Sequence, residues 1–256
     1  RHTVLLTGAS SGIGREFARL FAADGHDLVL VARRRQALEE LAGELVDAHG
    51  VNCAVIARDL AHAGEGATIF AEVEARDLEV SVLVNNAGFG VYGPFVDGDL
   101  QRQLAMLRVN VETLTELTHW CLPGMIEAGR GHVLNVASTA AFQPGPLMAV
   151  YYASKAYVLH FSEAIAEELS GTGVKVTAFC PGPTRSGFQS EAGMEKSRLV
   201  RGPMPSAADV ARVGYRAMWR GKRVAVPGLL NRLLVQTVRL SPRRLVARLV
   251  RSLNDG

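Results

Sequence analysis

Cysteine is scarce in this chain, and metal-binding patterns are missing. Cys53, Cys121 and Cys180 lie far apart, form no CxxC pair and sit in apolar surroundings. They read as reduced core thiols, which suits a reducing cytosol and excludes a disulfide scaffold or a structural zinc site. The seven histidines form no HExxH or comparable cluster, so no metal is expected. No apolar run reaches membrane-spanning length, and because the first apolar stretch begins by Thr3, no leader peptide is expected. Repeats, low-complexity stretches and linkers are also absent. A basic body is lacking too. Leu229 to Gly256 hold six Arg and one Asp, so residues 1–228 carry 22 basic against 24 acidic side chains. Nucleic acid is therefore not an expected partner.

What is there is a chain of 256 residues, 48% hydrophobic, enough for a substantial single core. Short apolar runs at residues 3–6, 28–32, 53–57, 80–84, 131–137, 174–179 and 222–226 read as strands. The run Leu28 to Ala32 is continuous rather than alternating, as expected of a parallel strand covered on both faces. Helical periodicity separates them, including one long helix over about 97–127 and another over 151–169. This alternation predicts an α/β fold: one doubly wound parallel sheet of the Rossmann type over residues 1–228, with a helical extension over 229–256.

Ligands in such sheets bind beyond the carboxyl ends of the strands. Six features fall there: the turn Thr7-Gly8-Ala9-Ser10-Ser11-Gly12-Ile13-Gly14, Arg33, Asp59, Asn86, Ser138 and Thr184. In the turn, glycines let the backbone approach a pyrophosphate, whose charge is met by amides at the start of the following helix. Tyr151-Tyr152-Ala153-Ser154-Lys155 opens a helical run, so Tyr151 and Lys155 share a face. A phenol titrates near ~10, and an ammonium one turn away is expected to pull it toward the working range.

TGASSGIG (7–14), NNAG (85–88), Asn110, Ser138, YxxxK (151–155) and PGPT (181–184), in this order, resemble the short-chain dehydrogenase/reductase family over about residues 3–226. The resemblance implies an enzyme acting on CH–OH groups. It transfers a hydride between a nicotinamide and a carbonyl or secondary alcohol. Carried over residue by residue, Tyr151 exchanges the proton, Lys155 tunes it and holds the nicotinamide ribose, Ser138 holds the substrate oxygen, and Asn110 anchors a water. Gly8, Ser10, Gly12, Ile13 and Gly14 line the pyrophosphate turn. Asp59 and Leu60 meet the adenine, Asn86, Ala87 and Gly88 pack the cofactor, and Pro181, Gly182 and Thr184 meet its nicotinamide end.

Arg33 stands 19 positions after Gly14 and is followed by Arg34, where an acidic residue would read a ribose 2′-hydroxyl. Guanidinium suits a 2′-phosphate, so NADP(H) is expected over NAD(H). Phe89, Phe142, Met148, Phe188 and Met194 are candidates for an apolar substrate pocket. Residues 185–205, polar and poorly periodic, suit a mobile lid. A redox-silent NADP(H)-binding sensor is the rival reading, and the complete Asn-Ser-Tyr-Lys set argues against it. The resemblance implies a homodimer or homotetramer; stripes at Leu104, Leu107, Val111, Leu114 and Leu117, and at Phe161 and Ile165, offer faces for it, but core packing can equally absorb both. The tail reads as two basic amphipathic helices, the second capped by Ser241 with Pro242 at its first position. Over 229–253 it can touch an anionic membrane, as in a membrane-peripheral lipid-modifying reductase. It can equally cover the substrate cleft or join a second subunit.

Overall fold

The computed structural model describes residues 1–194 and 197–255, apart from the side chains of Leu199 and Arg239. Glu195 and Lys196 of the expected lid, Gly256, and the Arg239 side chain of the tail lie outside the described residues.

Seven strands form one parallel sheet: β1 (Thr3–Thr7), β2 (Asp27–Ala32), β3 (Cys53–Ala57), β4 (Val80–Asn85), β5 (Gly131–Val136), β6 (Val174–Phe179) and β7 (Val224–Ala225), in the order β3-β2-β1-β4-β5-β6-β7. Strand side chains alternate between two cores, as the period of two requires. Val4, Leu6, Leu28 and Leu30 face one helical layer, and Leu5, Val29 and Val31 face the other. The first layer holds α1 (Gly12–Ala23), α2 (Arg35–His49) and α8 (Ala207–Trp219), which supply Phe17, Phe21, Leu38, Leu41 and Met218. The second holds α3 (Glu65–Glu74), α5 (Thr113–Glu127) and α6 (Ala149–Glu168), which supply Ile69, Leu117 and Ile165. The sheet order reverses between β1 and β4, so the loops leaving these two strands part and open a crevice.

The predicted doubly wound architecture is the observed one, with four local corrections. The long helix is interrupted. A 3-10 turn at Phe95–Asp97 precedes α4 (Leu100–Leu107), and a π-helical turn, Arg108–Glu112, joins α4 to α5. Such bulges re-aim side chains, and this one carries the buried Asn110. The seventh strand is only two residues long. The lid stretch is packed: α7 (Phe188–Ala192) and a 3-10 turn at Arg198–Val200 bury Ala192 and Met194. Finally, Ser241 does not cap the last helix. Its hydroxyl donates to Thr237 O at 2.8 Å and closes α9 (Leu229–Leu240), while Pro242 sits at the cap of α10 (Arg243–Asn254). As predicted, Ser206 Oγ accepts from Asp209 N at 3.1 Å and caps α8.

A buried polar ladder ties the sheet to the helices that carry the site. Asn85 Nδ2 donates to Asn135 Oδ1 at 2.9 Å and to Thr118 Oγ1 at 3.0 Å, and Asn135 Nδ2 donates to Ser162 Oγ at 2.9 Å. The adjacent register of β4 and β5 sets Asn85 beside Asn135. The ladder thus fixes α5 and α6 against the two strands that end at the crevice.

Candidate active site

The crevice has a volume of about 830 Å³ and runs from the start of α2 to the start of α6. Its floor is the glycine turn. Gly8 and Gly12 adopt φ of +69° and +56°, which favour glycine. Gly14 lies behind the turn rather than on the crevice wall, where a Cβ would come within 2.2 Å of Gly8 O. Asn86 locks the turn from the β4 side. Its Nδ2 donates to Thr7 O at 3.0 Å and Gly8 O at 3.2 Å, and Thr7 Oγ1 accepts from the amides of Asn86 and Ala87, both at 3.1 Å. Thr7 is thus a structural partner that the motif contained but the residue-by-residue reading passed over.

At one end of the crevice, Arg33 and Arg34 precede α2, whose first turn holds no acidic residue. Arg34 Nη2 donates to Ser10 O and Oγ, each at 3.4 Å. Arg33 is mostly exposed and reaches Glu191 across the crevice at 3.8 Å. Arg58, at the end of β3, joins them on the wall, a third cation the sequence reading missed although it directly precedes Asp59. Asp59 Oδ1 accepts from Ala61 N at 3.1 Å, and both Asp59 and Leu60 line the crevice. Cations gathered at a helix N-terminus oppose its dipole and are offset by a bound anion. Backbone-lined floor and arginine end together fit a dinucleotide.

At the other end stand Ser138, Tyr151 and Lys155. Lys155 is 5% exposed, and its Nζ donates to Val136 O at 2.9 Å and lies 5.9 Å from the Tyr151 ring centre. Burial holds its ammonium down, to about 8. Burial also pushes the Tyr151 phenol up, while a hydrogen bond with Ser138 pulls it the other way. The expected lowering of the phenol by Lys155 is therefore not what dominates: both groups are desolvated, and each is driven toward its neutral form. A neutral phenol beside a serine hydroxyl is a proton donor. Ser138 Oγ also accepts from Ala140 N at 3.1 Å.

Asn110 stands behind this set, 1% exposed. Its Oδ1 accepts from Phe89 N, and its Nδ2 donates to Phe89 O and to Ser154 Oγ, all at 3.1 Å. The amide clamps the strand-β4 loop to α6 one residue from Lys155. Gly88 is squeezed between them, since a Cβ there would lie 3.0 Å from Asn110 Oδ1 and 3.2 Å from Lys155 Nζ. Pro181, Gly182 and Thr184 complete the wall, and Thr184 Oγ1 donates to Gly182 O at 2.9 Å.

Of the pocket candidates, Phe89, Met148, Phe188 and Met194 border the crevice, with the Phe188 ring 5.3 Å from that of Tyr151. Phe142 does not; it packs in a separate cluster with Leu114, Val158 and Val235. Tyr152 is divided between two surroundings. Its ring borders the crevice, but its hydroxyl turns away and donates to Asn254 Oδ1 at 3.4 Å.

Short chain dehydrogenase sequences match residues 2–197. The chain belongs to the short-chain dehydrogenase/reductase family. It is similar to a very-long-chain 3-oxoacyl-CoA reductase of Anas platyrhynchos, with 36% identity over 69% of this chain and 58% of that protein. It is also 40% identical to sulfoacetaldehyde reductase 2 of Chromohalobacter salexigens, over 72% of this chain and 73% of the relative. Among solved structures, a short-chain dehydrogenase from Sphingobium yanoikuyae in complex with NADPH superposes with a TM-score of 0.85, at 32% identity and 94% coverage of both chains. The chain spans under two thirds of the length of the reductase from Anas platyrhynchos. The Anas and Chromohalobacter relatives are both named as reductases. Three free cysteines, no helix long and apolar enough to cross a membrane and no metal-binding group occur among the described residues.

Proposed function

We propose that the protein is an NADP(H)-dependent reductase of a ketone or 3-oxoacyl carbonyl carried on a bulky, apolar body. The observation that carries this reading is the convergence of Ser138 and Tyr151 beside a buried lysine on a crevice with an apolar wall. When bound, the nicotinamide supplies a hydride to the carbonyl carbon. Ser138 and Tyr151 hold the carbonyl oxygen, and Tyr151 gives it the phenolic proton as negative charge develops there. Lys155, titrating near 8, stabilises the phenolate left behind and hydrogen-bonds the ribose. Asn110 is a positioning residue that keeps Phe89 and Ser154 in register. Asp59 and Leu60 receive the adenine, and Pro181, Gly182 and Thr184 the nicotinamide.

The choice of NADP(H) rests on Arg33, Arg34 and Arg58 around the start of α2, and is supported by the NADPH complex of the similar Sphingobium enzyme. The apolar substrate rests on Phe89, Met148, Tyr152, Phe188 and Met194, and agrees with the long-chain acyl substrate in the name of the similar reductase. A homodimer or homotetramer would cover the half-exposed face where Tyr157, 39% exposed, stacks on Phe161. Leu104, Leu107 and Val111 of the predicted stripe are only partly buried, whereas Leu114, Leu117 and Ile165 are taken up by the core.

The test follows NADPH oxidation with ketones, aldehydes and 3-oxoacyl thioesters, in the native chain and in Tyr151→Phe. The expected outcome is turnover of bulky carbonyls that falls by about 10² to 10⁴ in the variant, with NADPH binding retained. NADPH binding without turnover of any carbonyl would establish the sensor instead.

A further inference from the structure

The first of the two C-terminal helices presents an inverted surface, and the second adds half-exposed leucines. On a helix of a globular protein the apolar stripe faces the core and polar residues face water. In α9, Val235 is the buried residue, whereas Leu229, Leu230, Leu233, Leu234 and Leu240 are 72%, 69%, 58%, 52% and 90% exposed. At about 100° per residue, Leu229, Leu233 and Leu240 fall within a ~40° sector opposite Val235. The pole that should be wet is leucine. In α10, Val246 and Val250 face inward and join the apolar cluster of Met148, Tyr151, Tyr152 and Met194, and Asn254 is buried as well. Leu245, Leu249 and Leu253 remain 49%, 57% and 48% exposed. Scattered exposed leucines are ordinary, but eight on two successive helices mark a contact surface.

The charges around the patch decide what it contacts. Arg243, Arg244, Arg248 and Arg251 are exposed, and among the described residues no carboxylate pairs with them. Asp255 is the only acidic residue from 229 onward. A second copy laid on this patch about a two-fold axis would set arginines against arginines with no anion between them. A surface that accepts leucine side chains and carries negative charge at the same depth satisfies both groups at once.

We infer that α9 and α10 dock the enzyme peripherally on an anionic lipid bilayer, leucines entering the acyl boundary and arginines meeting the headgroups. The same helices abut the catalytic end of the crevice. Asn231 of α9 lies against Gly182, where an added Cβ would come within 2.9 Å of its Nδ2, and α10 backs Tyr151 and Tyr152. Docking therefore sets the substrate end of the site beside the membrane surface, from which an apolar carbonyl compound can enter.

The test is co-sedimentation of the full chain, without cofactor or substrate, with vesicles of phosphatidylcholine and phosphatidylglycerol or of phosphatidylcholine alone, at low salt. Its outcome is thus independent of the proposed catalytic reading. The chain is expected to pellet with the mixed vesicles and to remain largely in solution with the neutral ones. The triple variant Leu229→Gln, Leu233→Gln, Leu240→Gln should lose about a hundredfold in partitioning, and Arg244→Ala with Arg248→Ala roughly thirtyfold. Both should keep the native far-ultraviolet spectrum and turnover of a water-soluble ketone. A native chain that stays in the supernatant with mixed vesicles overturns the inference, as does undiminished binding by the leucine variant. A leucine variant that changes from dimer to monomer in light scattering, with no vesicle binding by the native chain, would assign the patch to a second copy.

Discussion

Lys155 is held as a charge where charge is costly, and that cost is measurable. Its ammonium is 5% exposed and titrates near 8 instead of its ordinary 10.5. Because the folded value is depressed, the unfolded chain binds more protons between these two limits, and stability must rise with pH across that window. At pH 7 the full penalty applies, about 3 kcal/mol at 1.36 kcal/mol per unit; at pH 9.5 roughly half remains, so about 2 kcal/mol is recovered. Lys155→Met removes the titration while keeping the length of the side chain. Urea unfolding of both proteins without cofactor, at pH 7 and pH 9.5, isolates the effect, because every other titrating group cancels in the difference. The native protein should gain about 2 kcal/mol relative to the variant, a midpoint shift on the order of 1 M urea. The variant also loses the bond to Val136 O, but that loss is the same at both pH values. Parallel midpoints at the two pH values would refute the claim that Lys155 is a desolvated ammonium poised near neutrality.

Arg33→Asp should lower the preference for NADPH over NADH by on the order of a hundredfold, the loss of one charge-assisted pair plus a repulsion, read as the ratio of kcat/KM values. Asn135→Leu cuts the ladder between Asn85 and Ser162 and should cost about 2–3 kcal/mol, seen as a fall in Tm of roughly 5–10 °C with the active-site chemistry intact. Asn254→Ala removes the amide that donates to Pro146 O at 2.8 Å and accepts from Tyr152. Trypsin cleavage within α10 should quicken by about tenfold while residues 1–228 stay protected. Light scattering at micromolar concentration should give a dimer or tetramer, and a monomer would remove the proposed role of the Tyr157 and Phe161 face.

The sheet was readable because burial on both faces leaves a central strand such as Leu28 to Ala32 as an uninterrupted apolar run, and the crevice because glycine, asparagine, serine and threonine fall at the carboxyl ends of the strands. Ser138, Tyr151 and Lys155 converge although 17 residues separate the first from the last. Periodicity could not show the π-turn at Arg108–Glu112, since its extra residue conserves the helical look of the sequence on either side. Nor could it tell which face of an apolar ring would be used: Phe142 and Phe89 have the same chemistry, but the 3-10 turn after Ser138 turns Phe142 away. Ser241 misled for a similar reason. A serine before a proline satisfies the rule for a helix start, yet its hydroxyl found a nearer acceptor in the carbonyl of Thr237.

The sign of the electrostatics at Tyr151 was the least legible feature, and the reason bears on the chemistry. From sequence, one ammonium four residues away argues for a lowered phenol. In the fold the same helix turn that brings Lys155 near also buries both groups, and desolvation acts on each against its own charge. A protonated phenol with a lysine titrating near 8 behind it is arranged to give up a proton only when negative charge appears on the substrate oxygen. Ser138 opposes the burial in part, drawing the phenol down and so easing release of the proton. Reduction of a carbonyl thus draws on the protonation state that burial already favours, whereas alcohol oxidation must first remove the phenolic proton against it.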